Sequence, residues 1–214
     1  GHMRRIEESQ SAPNRDVEPC LALQLSSRRL LRIAVVPAYN EEQMVGSTLE
    51  SLACHVDAII VVNDGSRDST RDKVLAWSTA YGRPLYLLDL PRNTGMAGAL
   101  GVGFAQALLL MEQGDISPDD LLINVDADGQ HQLDAIPEMC CLLEKSGYDM
   151  VLARRDLSGY PWIKRAGNCV MSAVGSLFAG YCYQDIESGL RVVRARVLPE
   201  LLAFYAGCRY SCAQ

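Results

Sequence analysis

A chain of 214 residues with 49% hydrophobic and 21% charged side chains is long and apolar enough to bury one large core, which excludes a disordered or small disulfide-stapled protein. Its formal net charge of −6 argues against a general nucleic-acid surface and leaves small molecules as the expected partners. No stretch reaches the roughly 18 consecutive apolar residues of a membrane span, and no secretory leader is visible, so the expected setting is cytoplasmic, at most at the cytoplasmic face of a membrane.

The eight cysteines (Cys20, Cys54, Cys140, Cys141, Cys169, Cys182, Cys208 and Cys212) include no C-x-x-C pair, and few histidines are present to complete a zinc site. Most lie among apolar residues, as core thiols of a reducing compartment do.

Gly1-His2-Met3 resembles a cloning remnant, and residues 4–28 mix charges, Ser, Pro and Gln without periodicity. Residues 1–28 are therefore expected to form a loosely ordered arm ahead of one domain over 29–214. Arg32-Ile33-Ala34-Val35-Val36-Pro37 reads as a buried strand stopped by Pro37 at the loop Ala38-Tyr39-Asn40-Glu41-Glu42. Val45, Leu49 and Leu52 at helical spacing predict a helix over about 44–54, and Ala58-Ile59-Ile60-Val61-Val62 a second strand running into Asn63-Asp64-Gly65-Ser66. Asp68 or Ser69 can cap a helix over about 70–80, and Leu85–Leu88 makes a third strand. This β-α-β-α-β alternation predicts an α/β fold with a mainly parallel, twisted sheet and helices on both faces.

From Pro91 to Gly103 a glycine-rich loop runs into an apolar helix that ends near Gln113. The glycines allow either close backbone approach to a ligand or tight helix packing. They follow the third strand and do not fit G-x-G-x-x-G, which rules against a dinucleotide fingerprint. Next comes Leu121-Leu122-Ile123-Asn124-Val125-Asp126-Ala127-Asp128-Gly129-Gln130-His131, an apolar strand ending in two carboxylates and a glycine turn. Ligands bind at the carboxyl ends of strands in open parallel sheets. Two hard oxygen donors there suit Mg²⁺ or Mn²⁺ holding a diphosphate, while ordinary turn chemistry remains open as the alternative on these residues alone. His131 beside them is either part of that chemistry or a loop histidine.

A helix over 133–145, a strand over 149–153 and a basic end at Arg154-Arg155 follow. The next loop, with Gly159, Pro161, Trp162, Lys164 and Arg165, either closes over phosphates or is simply solvated. A helix over 167–179, Asp185-Ile186-Glu187-Ser188-Gly189-Leu190-Arg191, a short strand and a helix near 197–204 complete the pattern. His55, Trp77, Met111, Met139 and Met150 read as packing residues.

Five motifs stand in a specific order: Val-Pro-Ala-Tyr-Asn-Glu-Glu at 36–42, Val-Asn-Asp-Gly-Ser-Arg-Asp-Ser-Thr at 62–70, Arg-Asn-Thr-Gly-Met-Ala-Gly-Ala-Leu at 92–100, Asp-Ala-Asp-Gly-Gln-His at 126–131 and Ser-Gly-Leu-Arg at 188–191. Together, over residues 32–204, they resemble family 2 glycosyltransferases, and most closely the dolichyl-phosphate mannose synthase-like branch. The resemblance implies a GT-A fold, a GDP- or UDP-linked sugar donor, Mg²⁺ or Mn²⁺, and inversion at the anomeric carbon. It implies that Pro37, Ala38, Tyr39, Glu41 and Gly95 line the nucleotide pocket and that Asp64 meets the base or ribose. Asp126 and Ala127 would face the ribose or metal, and Asp128 would ligate the metal with help from Gln130. Asp185 is the implied base, with Glu187 as a nearby rival, and Arg154, Lys164, Arg165 and Arg191 the implied cationic set around the leaving diphosphate. Such a set agrees with the chemistry, because glycosyl transfer builds negative charge on the departing diphosphate, and a hydroxyl acceptor needs its proton removed.

A polyprenyl phosphate or a glycan is the implied acceptor. Met96 stands where many relatives carry lysine, and Leu190 where phenylalanine is commoner. The family usually continues past Ser211-Cys212-Ala213-Gln214 with segments that hold a lipid acceptor. The expectation is therefore a catalytic domain lacking its acceptor-side segment, with peripheral membrane association belonging to a longer protein. Two competitors are a non-catalytic nucleotide-sugar-binding or scaffold domain and a sugar-phosphate nucleotidyltransferase. The latter is disfavoured because Pro37-Ala38-Tyr39-Asn40 occupies the place of its Gly-x-Gly-x-Arg-rich loop.

Overall fold

The computed structural model describes residues 28–82, 84–129, 133–153 and 190–211. Contacts divide the chain into Gly1–Leu30 and Leu31–Gln214, and the second unit carries everything that follows. Its elements are β1 (Arg32–Ala38), α1 (Val45–Ala53), β2 (Ala58–Asn63), α2 (Thr70–Tyr81), β3 (Leu85–Asp89), α3 (Gly95–Gln113), β4 (Leu121–Asn124), α4 (Ile136–Lys145), β5 (Met150–Leu152), β6 (Arg191–Arg194) and α5 (Leu198–Ser211).

The strands form one sheet in the order β3-β2-β1-β4-β6-β5. β1 lies parallel to both β2 and β4, with Val35 opposite Ile60 on one side and Asn124 on the other. β2 and β3 are also parallel, whereas β6 runs antiparallel to β4 and β5. The near-continuous β-branched runs of β1 and β2 follow from burial on both faces. Ile33, Val35, Ile60, Val62 and Leu122 face a layer built by Ala99, Leu100, Phe104 and Ala107 of α3 and Leu198 and Tyr205 of α5. The alternate residues Ala34, Val36, Ile59, Val61 and Ile123 are equally buried. By the two-residue period of a strand they face the other layer, where α1 packs on α2 and α4 packs on β5 and β6.

α3 is apolar and long enough to cross a membrane by composition alone, but it packs on β1, β2 and α5 as a core helix. Its close approach depends on Gly103, where a Cβ would strike Val35 Cγ1 and stand 3.2 Å from Val62 Cγ2. On the other side of the sheet, buried Arg194 joins β6 to its neighbours. Its Nη2 donates to the Leu143 carbonyl at 2.7 Å and its Nε to the Tyr148 carbonyl at 3.3 Å.

Several expectations shift. The predicted helix over 133–145 divides into a 3₁₀ turn, Leu133–Ala135, and α4, which starts beside Pro137. The last helix continues to Ser211, beyond the expected 204. Of Cys54, Cys140 and Cys141, Cys140 is the buried core thiol, and burial pushes its pKa up to about 11. Cys54 is exposed because it caps the end of α1, and Met150 is exposed because β5 is an edge strand. The expected helix over 167–179 and the arm over 1–27 lie outside the described residues.

Two glycine substitutions should move stability in opposite directions. Gly103→Ala drives a methyl into stiff, β-branched Val35 and should cost about 1–2 kcal/mol net of its helix-propensity gain. Gly46→Ala in α1, where a Cβ meets nothing within 4 Å, should gain about 0.5–1 kcal/mol. Urea denaturation of both variants checks the pair; a Gly103→Ala protein as stable as the parent would show that the α3 contact is slack.

Candidate active site

Parallel pairing brings the carboxyl ends of β1, β2, β3 and β4 to one edge, so the loops that leave them meet there. The loops after β1 and β2 are laced together through their backbones. Glu41 N–H donates to Thr70 Oγ1 at 2.8 Å, and Asn40 N–H donates to Ser66 Oγ at 3.0 Å. In return, Arg67 N–H donates to Asn40 Oδ1 and Ser69 N–H to Glu42 Oε2, each at 2.9 Å. Asn40 takes a left-handed conformation, φ 54°, that asparagine tolerates better than most residues.

Asp64 ties in the loop after β3. Only 3% exposed, it accepts at Oδ1 from the N–H and hydroxyl of Thr94, both at 2.8 Å, and at Oδ2 from Gly95 N–H at 2.9 Å. It therefore places a carboxylate on the first N–H groups of α3, where the helix dipole favours negative charge. Gly65, at φ +68°, sits against the Arg92 backbone, which a Cβ at this position would strike. Further out, Asp89 accepts from Asn63 Nδ2 at 2.9 Å and from Arg71 Nε at 2.7 Å.

These loops enclose a cavity of about 290 Å³ lined by Pro37, Ala38, Tyr39, Glu41, Asp64, Asn93, Gly95, Met96, Ala99, Asp126, Ala127 and Asp128. All eight positions picked from the sequence as the nucleotide-lining set meet here, together with Asp128. Asn93 and Ala99 were not singled out, although Asn93 sits inside the motif at 92–100. Its Oδ1 accepts from Gly95 N–H at 2.9 Å. A second cavity of about 410 Å³ shares Tyr39 and Asn93 with the first and carries Arg67, Arg71 and Arg92 against Asp89. Nothing in local periodicity signals that grouping, since its residues come from three separate loops.

Acidic residues converge on the first cavity. Partial burial raises the Glu41 pKa, and the charges of Asp128 and then Asp68 add to the effect. Among the described residues no three His, Cys, Asp or Glu side chains already converge as a complete metal cage. The donor set still fits a hard divalent cation, because Mg²⁺ ordinarily takes one or two protein carboxylates and fills its shell with phosphate oxygens and water. Asp126 and Asp128 are such a pair, both lining the cavity. Arg191 begins β6 opposite Asn124, which puts it at the same edge, two residues from Asp126 in register. Gln130, His131, Arg154, Lys164, Arg165, Asp185 and Glu187 lie outside the described residues.

A family model described as Glycosyl transferase family 2 matches residues 33–168. An uncharacterised protein of Methanocaldococcus jannaschii is 32% identical over 182 residues, a match covering 82% of this chain and 70% of that protein. The UDP-N-acetylglucosamine–dolichyl-phosphate N-acetylglucosaminyltransferase of Methanococcus voltae is 28% identical, with 82% of this chain and 74% of that enzyme covered. Among solved structures, a mannosyltransferase from Pyrobaculum calidifontis in complex with GDP-Man and Mn²⁺ superposes with a TM-score of 0.58 at 16% identity, covering 82% of this chain and 47% of its own. That likeness makes the fold GT-A. The chain spans about half to two thirds of the solved chains it matches.

Two outcomes test the lacing of the loops. Asp64→Asn substitutes an amide for a carboxylate that accepts three donors, and should destabilise the protein by about 2–3 kcal/mol in chemical denaturation. The second concerns acid. Burial pushes the Asp68 and Asp89 pKa values up, but the donors on each, Thr70 and Glu42 for Asp68, Asn63 and Arg71 for Asp89, more than offset it, so both lie below the ordinary 3.8. A depressed carboxylate contributes stability that is complete above its unfolded value and is lost as pH falls through the lower folded value. The melting temperature should therefore drop on acidification below about pH 4, and drop less steeply in Asp68→Asn/Asp89→Asn.

Proposed function

The chain belongs to glycosyl transferase family 2, and on that premise we propose that it moves a hexose-type sugar from a nucleoside diphosphate to a polyprenyl phosphate or a glycan, with inversion at the anomeric carbon. The observation that carries this is the single cavity uniting the Pro37–Glu41 loop, Asp64 and Gly95 with the Asp126-Ala127-Asp128 turn. The donor nucleotide lies along it, its nucleoside toward Tyr39 and Asp64 and its diphosphate toward Asp126 and Asp128. Bound Mg²⁺ or Mn²⁺ on Asp126 and Asp128, with Gln130 beside them, would supply the charge that stabilises the leaving diphosphate.

The protein's own groups divide the remaining roles. Tyr39, 40% exposed and lining the cavity, offers a flat face to the base. Pro37, Ala38, Met96 and Ala99 provide an apolar surface without charge. Arg191, together with Arg154, Lys164 and Arg165, balances the departing diphosphate, and Asp185 takes the acceptor's proton when the acceptor is a hydroxyl. A phosphate acceptor is already ionised near neutral pH, and Asp185 then serves to orient it. The dolichyl-phosphate specificity named for the Methanococcus voltae relative supports a polyprenyl phosphate as acceptor. Such an acceptor would be met at the cytoplasmic face of a membrane, with peripheral association belonging to a longer protein.

Melting curves with GDP, UDP and their sugar conjugates, each with and without Mn²⁺, test the assignment. Stabilisation should require nucleotide and Mn²⁺ together, should disappear in Asp128→Ala, and should identify the base. Transfer of radiolabelled sugar to polyprenyl phosphate then tests the reaction. An unmoved melting point in every combination would sink the site, and binding without transfer or donor hydrolysis would make the chain a nucleotide-sugar-binding domain.

A further inference from the structure

The acidic turn is held from below by one helix. Thr48 of α1, 3% exposed, donates its Oγ1 hydrogen to the Ala127 carbonyl at 3.2 Å, a contact between residues 79 apart in sequence. Ala127 is the residue between the two cavity-lining aspartates, and its methyl group is buried at 2% exposure while Asp126 and Asp128 remain partly exposed. One helical turn earlier, Met44 reaches the end of the same loop. Its Cε lies 2.6 Å from where a Cβ on Gly129 would stand, and Gly129 is left-handed at φ +70°.

Helical serine and threonine hydroxyls commonly bond back to a carbonyl three or four residues earlier. In α1 that local acceptor, the Met44 carbonyl, already takes Ser47 Oγ at 2.9 Å and Thr48 N–H at 3.0 Å. The Thr48 hydroxyl instead points across to the turn. On the α1 side of the turn lies a cavity of about 440 Å³ lined by Met44, Ser47, Thr48, Ser51, Asp126 and Gly129, among others. The peptide plane that carries the Ala127 carbonyl also carries the N–H of Asp128. Pinning that oxygen fixes the torsion between the two aspartates, and with it the direction in which Asp128 leaves the chain.

We propose that Thr48 is a positioning residue for the metal and diphosphate site: its hydroxyl sets the relative placement of Asp126 and Asp128 without touching substrate or ion. The inference rests on the glycosyltransferase reading above, because it assigns Thr48 to the support of a cation held by those carboxylates. Groups that orient metal ligands from behind typically contribute 10–100-fold in affinity.

The test compares the whole chain with Thr48→Val, which keeps shape and loses the hydroxyl, and Thr48→Ser, which keeps the hydroxyl. The readout is Mn²⁺ affinity, from the free-ion electron paramagnetic resonance signal, in the presence of GDP and of UDP. Thr48→Val should bind Mn²⁺ about tenfold or more weakly, and Thr48→Ser within about threefold of the parent. Should Thr48→Val fail to fold, Thr48→Cys, of similar size and a weak donor, takes its place with the same expectation. A valine or cysteine variant that melts lower yet holds Mn²⁺ as tightly as the parent overturns the proposal and leaves Thr48 a packing residue. A serine variant as weak as the valine one overturns it as well. A parent chain that binds no Mn²⁺ with either nucleotide overturns the functional reading itself, and this proposal with it.

Discussion

The parallel pairing of β1 with both β2 and β4 is the constraint on which the rest depends. It points three strand ends the same way and sets the loops after them side by side at the spacing of hydrogen-bonded strands, about 4.8 Å each. From the loop after β4, with Asp126 and Asp128, to the loop after β2, with Asp64, is then two spacings, or roughly 10 Å. That distance suits a diphosphate and a ribose laid across the sheet edge. The pairing survives because the interior of β1 is buried on both faces, so a one-residue slip would exchange the side chains that meet α3 with those that meet the opposite layer.

Within that frame the acidic residues divide into two groups. Asp57, Asp64 and Asp120 serve the fold, each accepting from backbone N–H groups of another segment: Arg32 for Asp57, Thr94 and Gly95 for Asp64, Leu31 and Ser117 for Asp120. Hydrogen bonds to a charged acceptor are stronger than neutral ones, and they satisfy donors that would otherwise be stranded at strand and helix ends. Glu41, Asp126 and Asp128 share the first cavity with Asp64, and Asp128 makes it harder for Glu41 to ionise. Like charges brought together in this way favour a cation among them.

Much of this was legible in the sequence. The apolar runs at 32–37, 58–62 and 121–125 are long enough to mark the central strands, and the motifs at their ends mark the edge where the cavity forms. What local pattern could not show is pairing between distant residues. The resemblance implies that Asp64 meets the base or ribose; the folded chain adds that it accepts three donors from positions 94 and 95, about thirty residues on, at the start of α3. The arginine cluster of the adjoining cavity was missed for the same reason. The antiparallel direction of β6 was also hidden, because four residues, Arg191–Arg194, carry no directional signal of their own. Met150, expected as a packing residue, is 39% exposed, because apolar character alone does not distinguish an edge strand from a central one.

The N-terminus of α3 bears on how a diphosphate could be held at all. Helix N-termini commonly receive phosphate groups, since their N–H groups are unsatisfied and the dipole favours negative charge. Here Asp64 already supplies that charge, and it accepts from Gly95 at the start of the helix. Met96, the next residue along the cavity, brings no cation either. A donor diphosphate added to this edge would therefore meet Asp64, Glu41, Asp126 and Asp128 without a helix end to receive it, an arrangement repulsive by itself. The proposed chemistry consequently depends on positive charge brought in from elsewhere: an ion on Asp126 and Asp128, and arginines at the rim such as Arg191. On that proposal the acidity of the turn would make nucleotide binding conditional on the metal, because without the ion the same carboxylates that would hold it repel the substrate.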